Sequence, residues 1–469
     1  MSTTLSPDEF VLDPGYLAFQ EELRCLIFHT AQTAAPSREG SPGLGIPPDG
    51  TSFSPEQQQE TQAQVKAILS TGRHVEYLKN YVAEVAPWLD MFDSSRTFTI
   101  QVPNLAQRCP ALLYAILALS ARQIERKEGK QHSFDSLELY QEAIRLLNPL
   151  LQAKDLAIIP ICVILCCLEM MSASPHDWRK HLEGCAALFD AFGVNGFSGG
   201  MLQAVFWCYA RMGMSIFIQN LLIPKLNIHL TDLCGALISD GTQATLVSMD
   251  SWLSPGSPQF QAAHLFREHA SPDMHANYAV FLCAQVCELI ADRTRFVELG
   301  DRTSGCDAPS FERRWLALWN SLQAWVRDRP PDIVPVELVD AQPFPQILFV
   351  HWAGISSNQL YHTACILLLG CAPTGLRLQD PGHVGSAVWH AKCICGISFT
   401  NPHRGCLNNA IQPLWIAGRL LSHRSEHVLI AKLIRSIENM TGWATCWRIS
   451  DLEVAWGHTV PRSPRRVLK

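Results

Sequence analysis

The run from Leu156 to Met171 constrains this chain more than any other stretch. It is apolar nearly all the way round a helix, so it needs neighbours on most sides. A sharp turn and a capped amphipathic helix follow it. Ser174 suits the N-cap, Pro175 the first helical position, and Asp177 the first turn. Trp178, Leu182, Cys185, Phe189 and Phe192 recur at helical spacing, while Arg179, Lys180, Glu183 and Asp190 lie mostly off that face. Gly193 stands where a C-cap glycine belongs. The flanking chain supplies amphipathic helices in both directions, so the expected fold class is all-α, an irregular multi-helix bundle of antiparallel helices with no sheet.

Composition allows a core large enough to surround such a helix. Of 469 residues, 48% are hydrophobic and 17% charged. Length over about 150 residues per domain gives two or three units. The net charge of −6 argues against a protein coated in basic surface for nucleic acid. The 17 cysteines are scattered singly through mostly apolar runs, and MSTTLSPDEF has neither the basic start nor the apolar core of a secretory signal. Reduced core thiols are expected, not a disulfide framework. The longest apolar run, Leu156 to Leu168, contains Pro160 and is flanked by Asp155 and Glu169, so no membrane span is expected.

Taken in order, residues 1–60 form a flexible N-terminal segment, with a short helix near Tyr16 to Thr30 and a Pro, Gly, Ser and Gln-rich linker over 37–60. One long domain spans 61–458, and a basic tail, RSPRRVLK, closes the chain within 459–469. Within the domain, residues 110–223 read as five helices joined by short loops. An irregular stretch over 224–273 separates halves at 61–223 and 274–458. Further helices are expected over Met274 to Leu299, Pro309 to Arg327, Gln346 to Gly370, Val384 to Thr400, Cys406 to Leu421 and Ser425 to Met440. RPPDIVPVELVDAQPFP (329–345) is a proline-rich connection. No fixed repeat emerges.

Several motifs invite chemistry and fail its context. GFSGG (Gly196 to Gly200) matches the nucleophile-elbow string, but a helix precedes it where a strand is needed. His390, Cys393, Cys395, His403 and Cys406 have zinc-ligand identities without a C-x-x-C hook, and Val384, Ala387, Ala391 and Ile394 give that stretch a helical core face. Cys162 with Cys166, and Cys283 with Cys287, are i,i+4 pairs best read as small core residues. Asp90 and Asp93 are too sparse for a diphosphate–metal cluster and suit a solvated helix end. The tail suits a frayed charged terminus better than an import or phosphate-contacting signal. No catalytic, cofactor-binding or metal residue is assigned, and no cofactor is expected.

Four segments, in order, resemble the regulatory ("middle homology" or fungal-specific) domain of fungal binuclear zinc-cluster transcription factors. They are NLAQRCPALLYAILALSARQIER (104–126), ILCCLEMMSASPHDWRKHLEGCAALF (164–189), FWCYARMGMSIFI (206–218), and a C-terminal stretch over 413–457. In the last, Pro413, Leu414, Ala417 and Gly418, then Thr441, Gly442 and Trp443, then Leu452 and Trp456, fall in the family's order. The resemblance covers about residues 85–457. Such proteins usually begin with six zinc-binding cysteines beside a basic stretch. Here only Cys25 lies before Cys109, so no zinc or DNA-contact residue carries over and direct DNA binding is not expected of this sequence.

The resemblance implies a nuclear transcription regulator without chemistry of its own, controlling pathway genes, secondary-metabolite clusters among them. Its expected partners are other regulators or coactivators, a homo- or heterodimer mate, and a small-molecule effector, with no membrane. An all-α enzyme of secondary metabolism would need a dense carboxylate or His/Cys cluster, and a passive scaffold would need a regular repeat. The sequence shows neither.

Overall fold

The computed structural model describes residues 9–34, 55–130, 134–172, 175–221, 247–269, 271–376, 378 and 382–461; the side chains of 55, 57, 175–180 and 213–221 lie outside the description. Ser174 of the expected N-cap, most of the 37–60 linker and the 462–469 part of the tail therefore fall outside it. The architecture is all-α but for one small hairpin. The chain divides into two compact units, Met1–Tyr209 with Leu246–Gln259, and Ala210–Thr245 with Phe260–Lys469.

The first unit is organised on the helix Ile158–Ser172. Every residue of it except Met170 is buried. Pro160 sits in its first turn, where a missing N–H costs nothing. The helices Pro110–Glu128, Asp135–Ala153 and Pro175–Phe192 pack against it. Gly129 ends the first of these with φ +68°, a conformation that costs glycine little.

The expectation of a separate flexible segment over residues 1–60 fails for residues 9–34. The helix Pro14–Ala34 packs on Pro175–Phe192 and Asp135–Ala153, and Phe10, Tyr16, Leu23 and Ile27 are fully buried. Its heptad-like apolar stripe is short, and only contact with the rest of the unit makes it core. The GFSGG loop shows a second form of close packing. A Cβ on Gly196 would lie 2.6 Å from the Trp207 ring and 2.7 Å from the Trp252 carbonyl oxygen.

In the second unit Pro272–Leu299 and Trp352–Gly370 form the centre, flanked by Ala308–Arg327 and Ala387–Thr400. Pro272–Leu299 is long and apolar enough to cross a membrane by composition, yet 83% of its most apolar window is buried inside the protein, as a core helix is. Tryptophans tie helices together through their indole N–H groups. Trp315 donates to the Leu368 carbonyl at 2.8 Å and Trp325 to the His275 carbonyl at 2.9 Å. Near the C-terminus Arg448, fully buried, lies between the Trp415 and Trp447 rings at 4.2 and 4.0 Å.

The expected absence of any sheet, and the expected helix start at Gln346, are both corrected here. Strand β1 (Glu337–Val339) pairs antiparallel with β2 (Gln346–Leu348), Leu338 opposite Ile347, and the helix begins only at Trp352. Pro343 and Pro345 bar a helix through this stretch, and the residues before them favour extended backbone. The flanking Val, Leu, Ile and Phe residues then suit strands. The ribbon lies against Ala387–Thr400, where Gly396 lets the backbones meet: a Cβ there would stand 2.2 Å from the Pro345 carbonyl oxygen. Gly396→Ala must therefore push the ribbon away, and is expected to lower the unfolding free energy by about 1–3 kcal/mol. Chemical denaturation of the two proteins side by side checks this.

Candidate functional site

The one carboxylate on the buried helix Ile158–Ser172 gathers the polar groups of the first unit around it. Glu169 Oε1 accepts hydrogen bonds from the Tyr140 hydroxyl and from His181 Nδ1, both at 2.7 Å. Its Oε2 accepts from Gln20 Nε2 at 2.9 Å, and Gln20 in turn reaches the Tyr16 hydroxyl at 3.3 Å. Glu169, Tyr140, Tyr16 and His181 are fully buried and Gln20 nearly so. Four segments of chain thus meet on one carboxylate.

Burial pulls the His181 pKa down, but the Glu169 carboxylate outweighs it and holds the imidazole up at about 10. The imidazole is therefore protonated at neutral pH. Burial pushes Tyr140 well up, so its hydroxyl stays a donor. Next to this hub Arg122, fully buried, lies over the Phe10 ring at 4.0 Å and donates through Nε to Ser172 Oγ at 2.7 Å. Neither cluster has a solvent-facing member, so both act as braces between helices.

The sequence places Glu169 at the flank of an apolar run and Leu182 on a helical stripe, and puts both Glu169 and His181 within the resembling segment 164–189. It did not show that Glu169 and His181 bond each other, nor that Gln20 and Tyr140 join them. The signal was one charge in a helix otherwise apolar all round, which has to find a partner.

The motif residues take structural places. Ser198 Oγ accepts from the Asn195 N–H at 2.8 Å in a turn between two helices, with no strand before it. Asp90 is not the solvated helix end expected. It is buried, and its carboxylate accepts from the Phe98 N–H at 2.7 Å and the Thr99 N–H at 2.8 Å, closing the loop ahead of the π-helical turn Thr97–Gln101. Burial raises its pKa to about 6. Asp93 accepts from the Ser95 and Thr97 N–H groups in the same loop. Burial pushes the Cys162 and Cys166 thiols well up, which suits inert core residues.

The five zinc-type residues do not converge. His390 Nδ1 lies 2.7 Å from His362 Nδ1, and its Nε2 lies 2.8 Å from the Val384 carbonyl. A carbonyl only accepts, so His390 carries its proton on Nε2 and accepts at Nδ1 from His362. Burial holds His362 well below its usual range and His390 at about 4, so both are neutral. His403 Nδ1 instead lies 3.5 Å from the Cys406 thiol. Burial raises Cys393 and Cys406 to about 12 and Cys395 beyond. Among the described residues no three His, Cys, Asp or Glu side chains are grouped to hold a metal ion.

The second unit also has an open cleft of about 610 Å³, lined by Gln342, Pro343, Val388, Lys392, Leu421, His423 and Glu426 among others. Its charges are already engaged. Lys392 Nζ stands 3.7 Å from Glu426, and Glu426 receives the His423 N–H at 3.3 Å in a capping box. These contacts assign the cleft no ligand.

Residues 76–215 match the family described as the fungal specific transcription factor domain. The chain is also similar to Transcription activator AMTR1 of Alternaria alternata, with 22% identity over 355 residues, 65% of this chain and 44% of that protein. The chain thus spans less than half the length of that relative. No solved structure matches it. The matched residues include Tyr140, Glu169, His181 and Arg122, while Gln20 and Phe10 come from before them.

Two limbs of pH dependence follow. Folding raises the His181 pKa, so the stability it contributes is complete below the unfolded value of about 6.5 and is lost as pH climbs toward about 10. Folding lowers the His390 pKa to about 4 and that of His362 well below its usual range, so both cost stability as pH falls below about 6.5. Glu169→Gln is expected to remove about 3–5 kcal/mol and to flatten the alkaline limb alone. Urea unfolding of both proteins across this pH range reads both effects.

Proposed function

We propose that this chain is the helical regulatory part of a transcription regulator. It acts in the nucleus through contacts with other regulators or coactivators, as a homo- or heterodimer, and performs no chemistry of its own. The family match over residues 76–215 carries this reading, and the activator relative supports it. The buried hub agrees with it physically. Ionised and hydrogen-bonded groups sealed between helices set the shape of a body, and shape is what a regulatory domain presents to partners. Pathway genes, secondary-metabolite clusters among them, are the targets the resemblance suggests.

The test is to fuse the full chain to an unrelated DNA-binding module and place that module's site ahead of a reporter in a fungal host. Reporter output should rise or fall severalfold against the module alone, with the fusion in the nucleus. A folded, nuclear fusion that leaves the reporter unchanged would overturn the reading.

A further inference from the structure

The β1–β2 ribbon is closed on one edge and open on the other. On β2, the Ile347 N–H donates to Thr400 Oγ1 at 3.3 Å and the Phe349 N–H to Asn401 Oδ1 at 2.9 Å. Asn401 Nδ2 donates back to the Ile347 carbonyl at 2.7 Å. The end of Ala387–Thr400 thus stops β2 from pairing further. On β1 all three residues are exposed, and among the described residues no side chain hydrogen-bonds to its backbone. An unstopped edge is a template for another strand.

Its surface is also apolar in a way the rest of the chain is not. Of the 18 large hydrophobic residues exposed among those described, six fall within 334–350: Val334, Val336, Leu338, Val339, Leu348 and Val350. Val336 is 64% exposed, Leu338 61% and Val350 81%, values far above what a buried strand face shows. Single exposed apolar residues are ordinary, but six within 334–350 leave apolar surface on both faces of the ribbon. Exposed carboxylates punctuate it at Asp332, Glu337 and Asp340, and no lysine or arginine occurs from Pro330 to Val350.

We propose that the outer edge of β1 is a docking site for an extended segment of a partner protein in which lysine or arginine alternates with apolar residues. The segment would add a strand antiparallel or parallel to β1. Main-chain hydrogen bonds would supply affinity, and the alternating side chains specificity. The charge pattern selects this occupant over a second copy of the chain. Two such edges side by side would gather six carboxylates with no lysine or arginine between them, whereas a strand with its basic residues on the Glu337 face brings an opposite charge to that carboxylate. The proposal does not rest on the transcriptional reading, since any partner with such a segment would serve.

The test is fluorescence anisotropy with the full chain and a labelled synthetic peptide of alternating lysine and valine. Binding should be about tenfold weaker when alternate peptide amides are N-methylated, a change that leaves the protein untouched. The double variant Glu337→Lys, Asp340→Lys should weaken it similarly and favour a glutamate–valine peptide instead. The proposal is overturned if the lysine–valine peptide does not bind, or if neither N-methylation nor charge reversal changes its affinity. It is overturned equally if the chain sediments as a dimer that Leu338→Asp converts to monomer, because a second copy would then own the edge.

Discussion

A carboxylate inside an otherwise apolar helix is the constraint on which the first unit depends. A buried carboxyl group needs hydrogen-bond partners, and Glu169 has three: Tyr140, His181 and Gln20. Each donor comes from a different segment of chain. Satisfying one charge therefore fixes the placement of four helices at once. An apolar residue at 169 would leave those helices free to slide and rotate over a greasy surface, whereas directional bonds permit one arrangement. The Glu169–His181 contact at 2.7 Å adds attraction in a dry surrounding, but its larger effect is to specify the packing.

The same principle recurs with tryptophan. Trp207 donates to the Gly196 carbonyl, Trp315 to Leu368, Trp325 to His275 and Trp456 to Gly418, at 2.8 to 2.9 Å. Each ring fills a large volume and spends its one polar atom on a carbonyl. In three of the four cases a helix is joined to another helix; in the fourth, Trp207 holds the glycine loop that precedes its own helix. Arg122 and Arg448 work similarly, laying a guanidinium against aromatic rings in the interior. Polar atoms on large side chains, not apolar area alone, give the core its register. The ribbon at 337–348 is the exception, since Leu338, Val339 and Leu348 are exposed and nothing described covers β1.

Much of the helical pattern was legible in the sequence because 3.6-residue periodicity is a local property. Pro272–Leu299, Ala308–Arg327 and Arg424–Thr441 each begin and end within two residues of the stretches read from their apolar stripes and caps. Misjudged stretches were those where local pattern and tertiary contact disagree. Residues 9–34 read locally as a short helix ahead of a linker, yet their stripe is buried by partners more than a hundred residues away. Asp90 is polar and follows a short helix, which locally signals solvent. Only the loop folding back to Phe98 and Thr99 encloses it.

The sequence by itself determined that the chain is helical, that it has a large apolar interior, and that its ordered motifs resemble a fungal regulatory domain. Those properties follow from residue type and spacing along one strand of chain. Tertiary structure alone decided the pairings: Glu169 with His181 and Gln20, His362 with His390, β2 with Asn401. It also decided that five metal-type residues disperse while the edge of β1 stays open. A hydrogen bond across tens of residues depends on where two elements meet in space, and no local spacing encodes that distance.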